Sequence, residues 1–333
     1  MATQDFKLIA EPKVASNIRI ALNGVKEGIT GHTIMRVNQT GNEIIALNMY
    51  KPIEAHRKIG LSPKTPEETS ELEQRIIKPK AFHVSIPTDW ESINELNHNP
   101  RGPLSEVVTN SLKEAMEREV VRSAFGPSII GPYDANEPPK ELDKNMIVKI
   151  GDRIPGRSSQ FDNTTADRLL LAARNLQKNG VNFKNKSVYL AMTSDAYTTL
   201  FGDIRLISKD YVQYANWENG IMTHFAGFEF VITDFLPGGR KQPCEYDKEG
   251  KRTTTPSIPL PQLPKDAPKD ALQVKSYALY WDKAALETAI WKNLELQVGL
   301  RTERSFSHLL YGSFQMGCVR TEESRIGYIE MPA

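Results

Sequence analysis

Cysteine is scarce, with only Cys244 and Cys318 among 333 residues. Two thiols so far apart do not make a disulfide framework, so a reducing site of synthesis is expected. Long apolar runs are missing: none reaches the ~18 residues that would cross a bilayer. The opening MATQDFKLIAEPK lacks the apolar centre of a signal peptide. Cytoplasmic synthesis without a membrane partner is therefore the expectation. An excess of charge is missing too. The formal net charge is +1, which removes any bulk electrostatic case for nucleic-acid or membrane binding. The composition, 39% hydrophobic and 25% charged, suits a soluble globular chain with a real core. Its length predicts one large domain or two to three smaller ones.

Signatures of chemistry are equally scarce. GxxxxGK followed by Ser or Thr, GxGxxG and GxSxG are all absent, and Gly156-Arg157-Ser158-Ser159 is a plain loop sequence. Pro237-Gly238-Gly239-Arg240-Lys241 resembles a phosphate loop but lacks its Lys-Ser/Thr ending and a following helix. His32, His56, His83, His98, His224 and His308 never pair at a metal-ligand spacing. His83 and His308 read as structural histidines in strands, and Cys318 as a small buried filler. Asp195 and Asp282 read as helix caps, and residues 64–73 as a solvated loop tip. Asp247-Lys248-Glu249-Gly250 does not fit a calcium loop. No catalytic, cofactor-binding or metal-binding residue is assigned. No cofactor is expected, and the chain reads as an assembly protein, not an enzyme.

The clearest element is residues 103–125, PLSEVVTNSLKEAMEREVVRSAF. Leu104, Val107, Val108, Leu112, Ala115, Met116, Val120, Val121, Ala124 and Phe125 recur at three and four, the stripe of an α-helix. Pro103 suits the first helical position and Gly126-Pro127 stops the ladder. Glu106 in the first turn and Arg122 in the last suit the helix dipole. Glu114 and Arg118 are spaced to pair. Such a helix is a strut roughly 35 Å long at ~1.5 Å per residue.

The remaining elements read as α+β. Residues 1–30 are an extended arm with a short helical segment near 14–22, or equally a frayed terminus. Residues 32–37 and 42–50 read as strands, 51–69 as a polar tip with Pro52, Pro63 and Pro66, and 75–87 as one long strand. Together they predict an extended hairpin. A two-stranded hairpin is marginal alone, so it needs support from outside the segment, or else it is a sheet edge on its own domain. Asp89 caps a short helix over 89–97, and 145–150 is a strand. Residues 164–178 form a second helix, with Ala166, Leu169, Leu170, Ala173 and Leu176 as its stripe, ended by Asn179-Gly180. Residues 187–192 are a strand, Thr193-Ser194-Asp195 opens a helix, 211–220 is a loop carrying Trp217, and 221–224 and 228–233 are strands. Residues 236–271, with Pro237, Pro243, Pro256, Pro259, Pro261, Pro264 and Pro268, read as a surface insertion, partly polyproline-like. Residues 274–281 are a strand, 282–290 a short helix, and the end is strand-rich.

In that order the parts resemble the major capsid protein of tailed bacteriophages, with the HK97-like fold. The likeness is best in EAMEREVVRSAFGP, in TTADRLLLAARNLQKNGV with SVYLAMTSDAYTTLFGD and GIMTHFAGFEFVITDFLP, and in SYALYWDKAALETAIWKNLELQVGLRTERSFSHLLYGSFQMGCVR. It covers roughly residues 30–330 as a series of weak motifs in fixed order. The resemblance implies an N-terminal arm over 1–31 and an extended loop over 32–87 lying on a neighbour. It implies a peripheral domain over 88–185 and 276–333 around the spine helix 103–125. It implies an axial domain over 186–275 that carries the Pro-rich insertion 236–271.

The implied function is a virion subunit that self-assembles into hexamers and pentamers, forming an icosahedral head around double-stranded DNA. The implied partners are further copies of itself, a separate scaffolding protein, a portal at one vertex, DNA held non-specifically by Lys and Arg, and a decoration protein. A separate scaffold is expected because Met1 leaves no room for a long scaffolding segment before the arm. Lys58 or Lys64 is a cross-linking candidate only by resemblance. The alternatives are an encapsulin-type nanocompartment shell with a cargo enzyme, and a cytoplasmic α/β enzyme whose Pro-rich loop is a lid.

Overall fold

A computed structural model describes residues 28–50, 53–57, 67–70, 72–88, 101–131, 138–154, 164–185, 187–201, 215–218, 221–261, 273–303 and 307–332. Residues 1–27 of the arm expected over 1–31, the helical segments near 14–22 and 89–97, and the loop 156–159 lie outside these residues, as do Lys58, Lys64 and His98.

The three-and-four spacing becomes α1 (Arg101–Phe125). The helix begins two residues before Pro103, whose missing N–H still falls in the first turn, where no ladder bond is lost. That start also moves Glu106 out of the first turn, so the expected dipole contact at that end is not made. At the other end Gly126 N donates to Arg122 O at 2.8 Å. Val108, Leu112, Met116, Val120, Val121 and Ala124 are buried as the spacing predicts, but Val107 is 57% exposed. Glu117, Arg118 and Glu119 are buried as well. The helix is therefore covered on more than its apolar side.

One face of α1 lies on a four-stranded sheet, ordered β1 (Ile34–Arg36), β13 (Leu286–Arg301), β14 (Ser307–Arg320) and β4 (Lys80–Thr88). Leu296, Leu310, Phe314 and Met316 of this sheet join the α1 side chains in one cluster. Gly312 permits the close approach. A Cβ there would stand 2.7–2.8 Å from Val108, Leu112 and Leu296. Gly312→Ala is expected to lower stability by about 1–3 kcal/mol through overpacking. Urea unfolding reads this as a lower midpoint; an unchanged midpoint would show that α1 can back away freely.

The second sheet has seven strands in the order β5 (Ile147–Val148), β15 (Ile326–Pro332), β12 (Val274–Asp282), β6 (Val188–Met192), β9 (Phe228–Ile232), β8 (Ile221–Phe225) and β7 (Ala215–Glu218). Its centre is covered on both faces. Val188, Leu190 and Met192 pack with α2 (Thr165–Lys178) and α3 (Ser194–Phe201), while Tyr189 and Ala191 turn toward α1. A strand buried on both faces has no reason to alternate, which is why β6 reads as the unbroken VYLAM. Thr164 caps α2 by accepting from Asp167 N, and Gly180 takes φ +79° just past its end. Leu170, expected on the α2 stripe, is 39% exposed.

Several expectations are corrected. Residues 282–290 are not a helix: a single 3-10 turn, Lys283–Ala285, leads straight into β13. Asp282 makes no cap bond and pairs with Arg325 at 3.1 Å instead. The Leu286–Ile290 stretch is taken by pairing, with Leu286 opposite Arg320 and Thr288 opposite Cys318. Trp217 lies in a strand, opposite Met222, and not in a loop. Residues 75–87 are two strands. They break at Lys78-Pro79, where proline has no N–H to give. β3 (Leu72–Ile77) pairs with β2 (Ile44–Tyr50), whereas β4 pairs with β14. Residues 236–256 are not a loose surface run. They form turns followed by a hairpin, β10 (Cys244–Tyr246) and β11 (Arg252–Pro256), held on α1, and Leu236 is fully buried. Residues 262–272 lie outside the described part. The seven-stranded sheet joins distant parts of the chain, because β12 bonds both to β6 and to β15.

Candidate functional site

The hairpin β2–β3 is a sheet of two strands only, with Tyr50 opposite Leu72 and Ile44 opposite Ile77. Its two ends differ. At the root, Ala46 and Ile77 are buried with Ala289 and Val319 of the four-stranded sheet. Farther out, Tyr50, Ile53 and Leu72 are 68%, 60% and 40% exposed, while Ile45 at the root, between Ile44 and Ala46, is itself 41% exposed. At the far end His56 and Glu68 meet, joining the two sides of the tip. Root support therefore comes from the chain itself, and among the described residues no buried cluster reaches the distal end.

The root is fastened by charge. Arg75 is 1% exposed. Its Nη2 pairs with Glu73 at 2.6 Å and with Glu323 at 2.7 Å, and its Nε donates to Thr321 O at 3.4 Å. Lys140 reaches the same two carboxylates at 2.8 and 3.5 Å. Beside them the buried Arg320 donates to Ala124 O and Lys140 O, each at 2.9 Å, and to Gly126 O. Burial lowers its guanidinium pKa, Glu323 raises it, and Arg75 lowers it. Backbone bonds close the arrangement: Ile76 N donates to Ile129 O at 3.2 Å, and Gly131 N to Gln74 O at 2.9 Å. The other leg is tied at residues 36–41. Arg36 meets Glu287 and donates to Ala46 O at 2.8 Å, while Trp291 Nε1 donates to Gly41 O at 2.8 Å.

The polar middle of α1 holds two further segments. Glu119, almost fully buried, accepts from Lys80 at 2.5 Å and from Arg122 at 2.8 Å. Arg122 also donates to Cys244 O at 2.7 Å and lies over the Tyr246 ring at 5.1 Å. Arg118 pairs with Glu114 at 2.6 Å and lies over Phe235 at 5.6 Å. Glu114 also binds Lys241 at 2.6 Å, and these two cations hold its carboxyl below the usual range against the effect of burial.

Sequence-derived candidates fall as follows. The Pro237–Lys241 turn uses its amides internally, Gly238 N donating to Gln242 Oε1 at 2.9 Å, so it is not a phosphate cradle. Asp247 Oδ1 accepts from Glu249 N and Lys251 N, a tight turn. His83 and His308 do lie in paired strands, but His83 faces Ser313 and His308 faces Thr88. Burial pushes the Cys318 thiol up to about 12, as suits a filler. Among the described residues no group of three or more His, Cys, Asp or Glu is placed to hold a metal. Among them no helix is long and apolar enough to cross a membrane. Sequence reading missed Arg75, Lys140, Arg320 and Glu323. Glu73 and Arg75 share a strand face, but their partners lie 67 and 248 residues away.

The family described as "Phage capsid protein" matches residues 32–332. No curated protein matches by sequence. Solved structures are similar in fold. A capsid structure of the cyanophage P-SCSP1u is 13% identical, with a TM-score of 0.62 over 90% of this chain and 86% of that one. The mature capsid of bacteriophage PhiM1 is 11% identical, with 0.58 over 90% and 85%. The capsid of Ralstonia phage GP4 is 10% identical, with 0.53 over 91% and 87%.

Proposed function

Because the chain belongs to the phage capsid protein family and has its α+β, HK97-like fold, we propose that it does its work as a shell subunit of a phage head through a hairpin that a neighbouring copy completes. The observation that carries this reading is the contrast between the two ends of β2–β3. Charged and apolar contacts fix the root, while Tyr50, Ile53 and Leu72 farther out stand in solvent. An exposed apolar face on a marginal two-stranded sheet calls for a partner surface.

In this reading residues 1–31 are an arm to a neighbour and 32–87 the extended loop, of which 44–77 project. The four-stranded sheet with α1 is the peripheral lobe. The seven-stranded sheet with α2 and α3 is the axial lobe, so residues 326–332 belong to it. Copies close into hexamers and pentamers, and many weak contacts multiply on closure. A net charge of +1 leaves little self-repulsion to oppose this. The shell is a virion component, assembled in the host cytoplasm with a separate scaffolding protein and a portal at one vertex. Double-stranded DNA is held non-specifically inside. The chain carries no catalysis. Its segment 236–261 braces α1 instead of covering an active site.

The test is electron microscopy of the full-length chain expressed with its scaffold. Regular closed shells are expected. Replacing residues 53–70 by Asn-Gly should leave the subunit folded by circular dichroism and abolish shells. Shells that survive this deletion, or a compact small oligomer from the intact chain, overturn the reading. Shells that hold an enzyme and no DNA favour the nanocompartment.

A further inference from the structure

The spine helix buries two carboxylates two residues apart, and only one has cations. Glu119 is held by Lys80 and Arg122. Glu117, 6% exposed, turns to the other side of α1 and accepts from Thr30 N, 3.4 Å from each carboxylate oxygen. Thr30 lies in the 3-10 turn Ile29–His32, where the N-terminal arm enters the described fold. The turn is fitted to this carboxyl. A Cβ on Gly28 would stand 2.1 Å from Glu117 Oε1, so an alanine there would have to push this carboxyl aside. Ile29 is fully buried beside it, Trp281 Nε1 donates to His32 O at 3.1 Å, and Thr33 Oγ1 meets Thr288 Oγ1 at 3.0 Å.

The charged and titratable groups around Glu117 do not neutralise it. Lys113 and Glu114 of α1 and Lys241 of the segment after β9 line the same pocket. Lys241 is committed to Glu114 at 2.6 Å. The turn contributes His32, whose ring packs on Tyr189 with centroids 4.4 Å apart. Burial lowers the His32 pKa, Glu229 raises it and Lys283 lowers it. A buried carboxylate answered by hydrogen bonds from the 29–30 turn, with no cation paired to it among the described residues, is costly when charged and acceptable when protonated.

We propose that Glu117 is a proton-operated clasp that fastens the root of the N-terminal arm to the spine helix when protonated and loosens it when ionised. Burial pushes its carboxyl up from 4.5 to about 7, opposed by hydrogen bonds from Thr30 and Ile29. The folded root therefore holds a proton that the opened root releases near 4.5. Between those values the folded form binds more protons, so the clasp weakens as pH rises and levels off above about 7. The clasp belongs to the single chain and does not depend on the shell reading.

Hydrogen exchange of the peptide covering residues 28–33 in the purified full-length chain, corrected for intrinsic rates, tests this. The opening equilibrium should rise about 30-fold from pH 5.5 to 8.5, with its bend near 7. Glu117→Gln keeps the acceptor but not the charge. It should stay protected at every pH, with thermal unfolding confirming the fold. Gly28→Ala should open the turn even at pH 5.5. A pH-independent wild-type peptide, or a Glu117→Gln profile with the wild-type slope, overturns the proposal.

Discussion

Arg75→Ala is expected to lower the stability of the chain by about 3–5 kcal/mol, because it strands buried carboxylates. Glu73 and Glu323 share the Arg75 guanidinium, and the side chains of all three are at most 11% exposed. Lys140 remains, but its side chain is 41% exposed and it lies farther from Glu323, at 3.5 Å. One solvated ammonium does not replace a buried fork. The measurement is the urea midpoint together with hydrogen exchange at Ile76 and Gly131, whose amides tie β3 to residues 129–131. Those two amides should lose protection first. Arg75→Lys keeps the charge and should lose less. Arg75→Met combined with Glu73→Gln and Glu323→Gln should recover much of the loss, since no charge is left unmatched. A loss under about 1 kcal/mol for Arg75→Ala would mean that water already reaches the root.

Trp281→Ala should cost a similar amount, about 3–5 kcal/mol, for a different reason. Trp281 is fully buried on the α1 side of the seven-stranded sheet, with the Tyr189 ring centroid 5.7 Å away. Truncation removes apolar contact at the junction of both sheets and the spine. It also leaves the His32 carbonyl without its indole donor. Trp281→Phe restores most of the volume but not the donor, so it should recover most of the loss, and the remainder measures the hydrogen bond. Exchange at residues 28–33 should rise in both variants, because the arm root loses an anchor. Equal urea midpoints for wild type and Trp281→Ala would place the core elsewhere.

Local pattern sufficed for much of this molecule. Period and capping located α1 and α2 to within two residues, because a helix stripe and its caps are written in consecutive residues. The continuous VYLAM run marked a strand, and its lack of alternation matched a sheet covered on both faces. The ordered series of short motifs was also enough to point to the family. Pairing was not legible in the same way. Residues 286–290 carry a helix-like spacing, yet they form strand because Cys318, Val319 and Arg320 stand opposite them. Pro79 divides what reads as one strand, and only the partners of each half show where the chain goes.

The sequence alone located the two long helices, the apolar segments and the family the whole resembles, since these depend on neighbours within a turn or two. Only the folded chain decided that the hairpin is fixed at one end and bare at the other. It alone joined Arg75 to Glu323 and Thr30 to Glu117, contacts between residues 248 and 87 positions apart. Their energies come from burial and from the charge of distant partners. Neither is a property of any stretch of chain taken by itself.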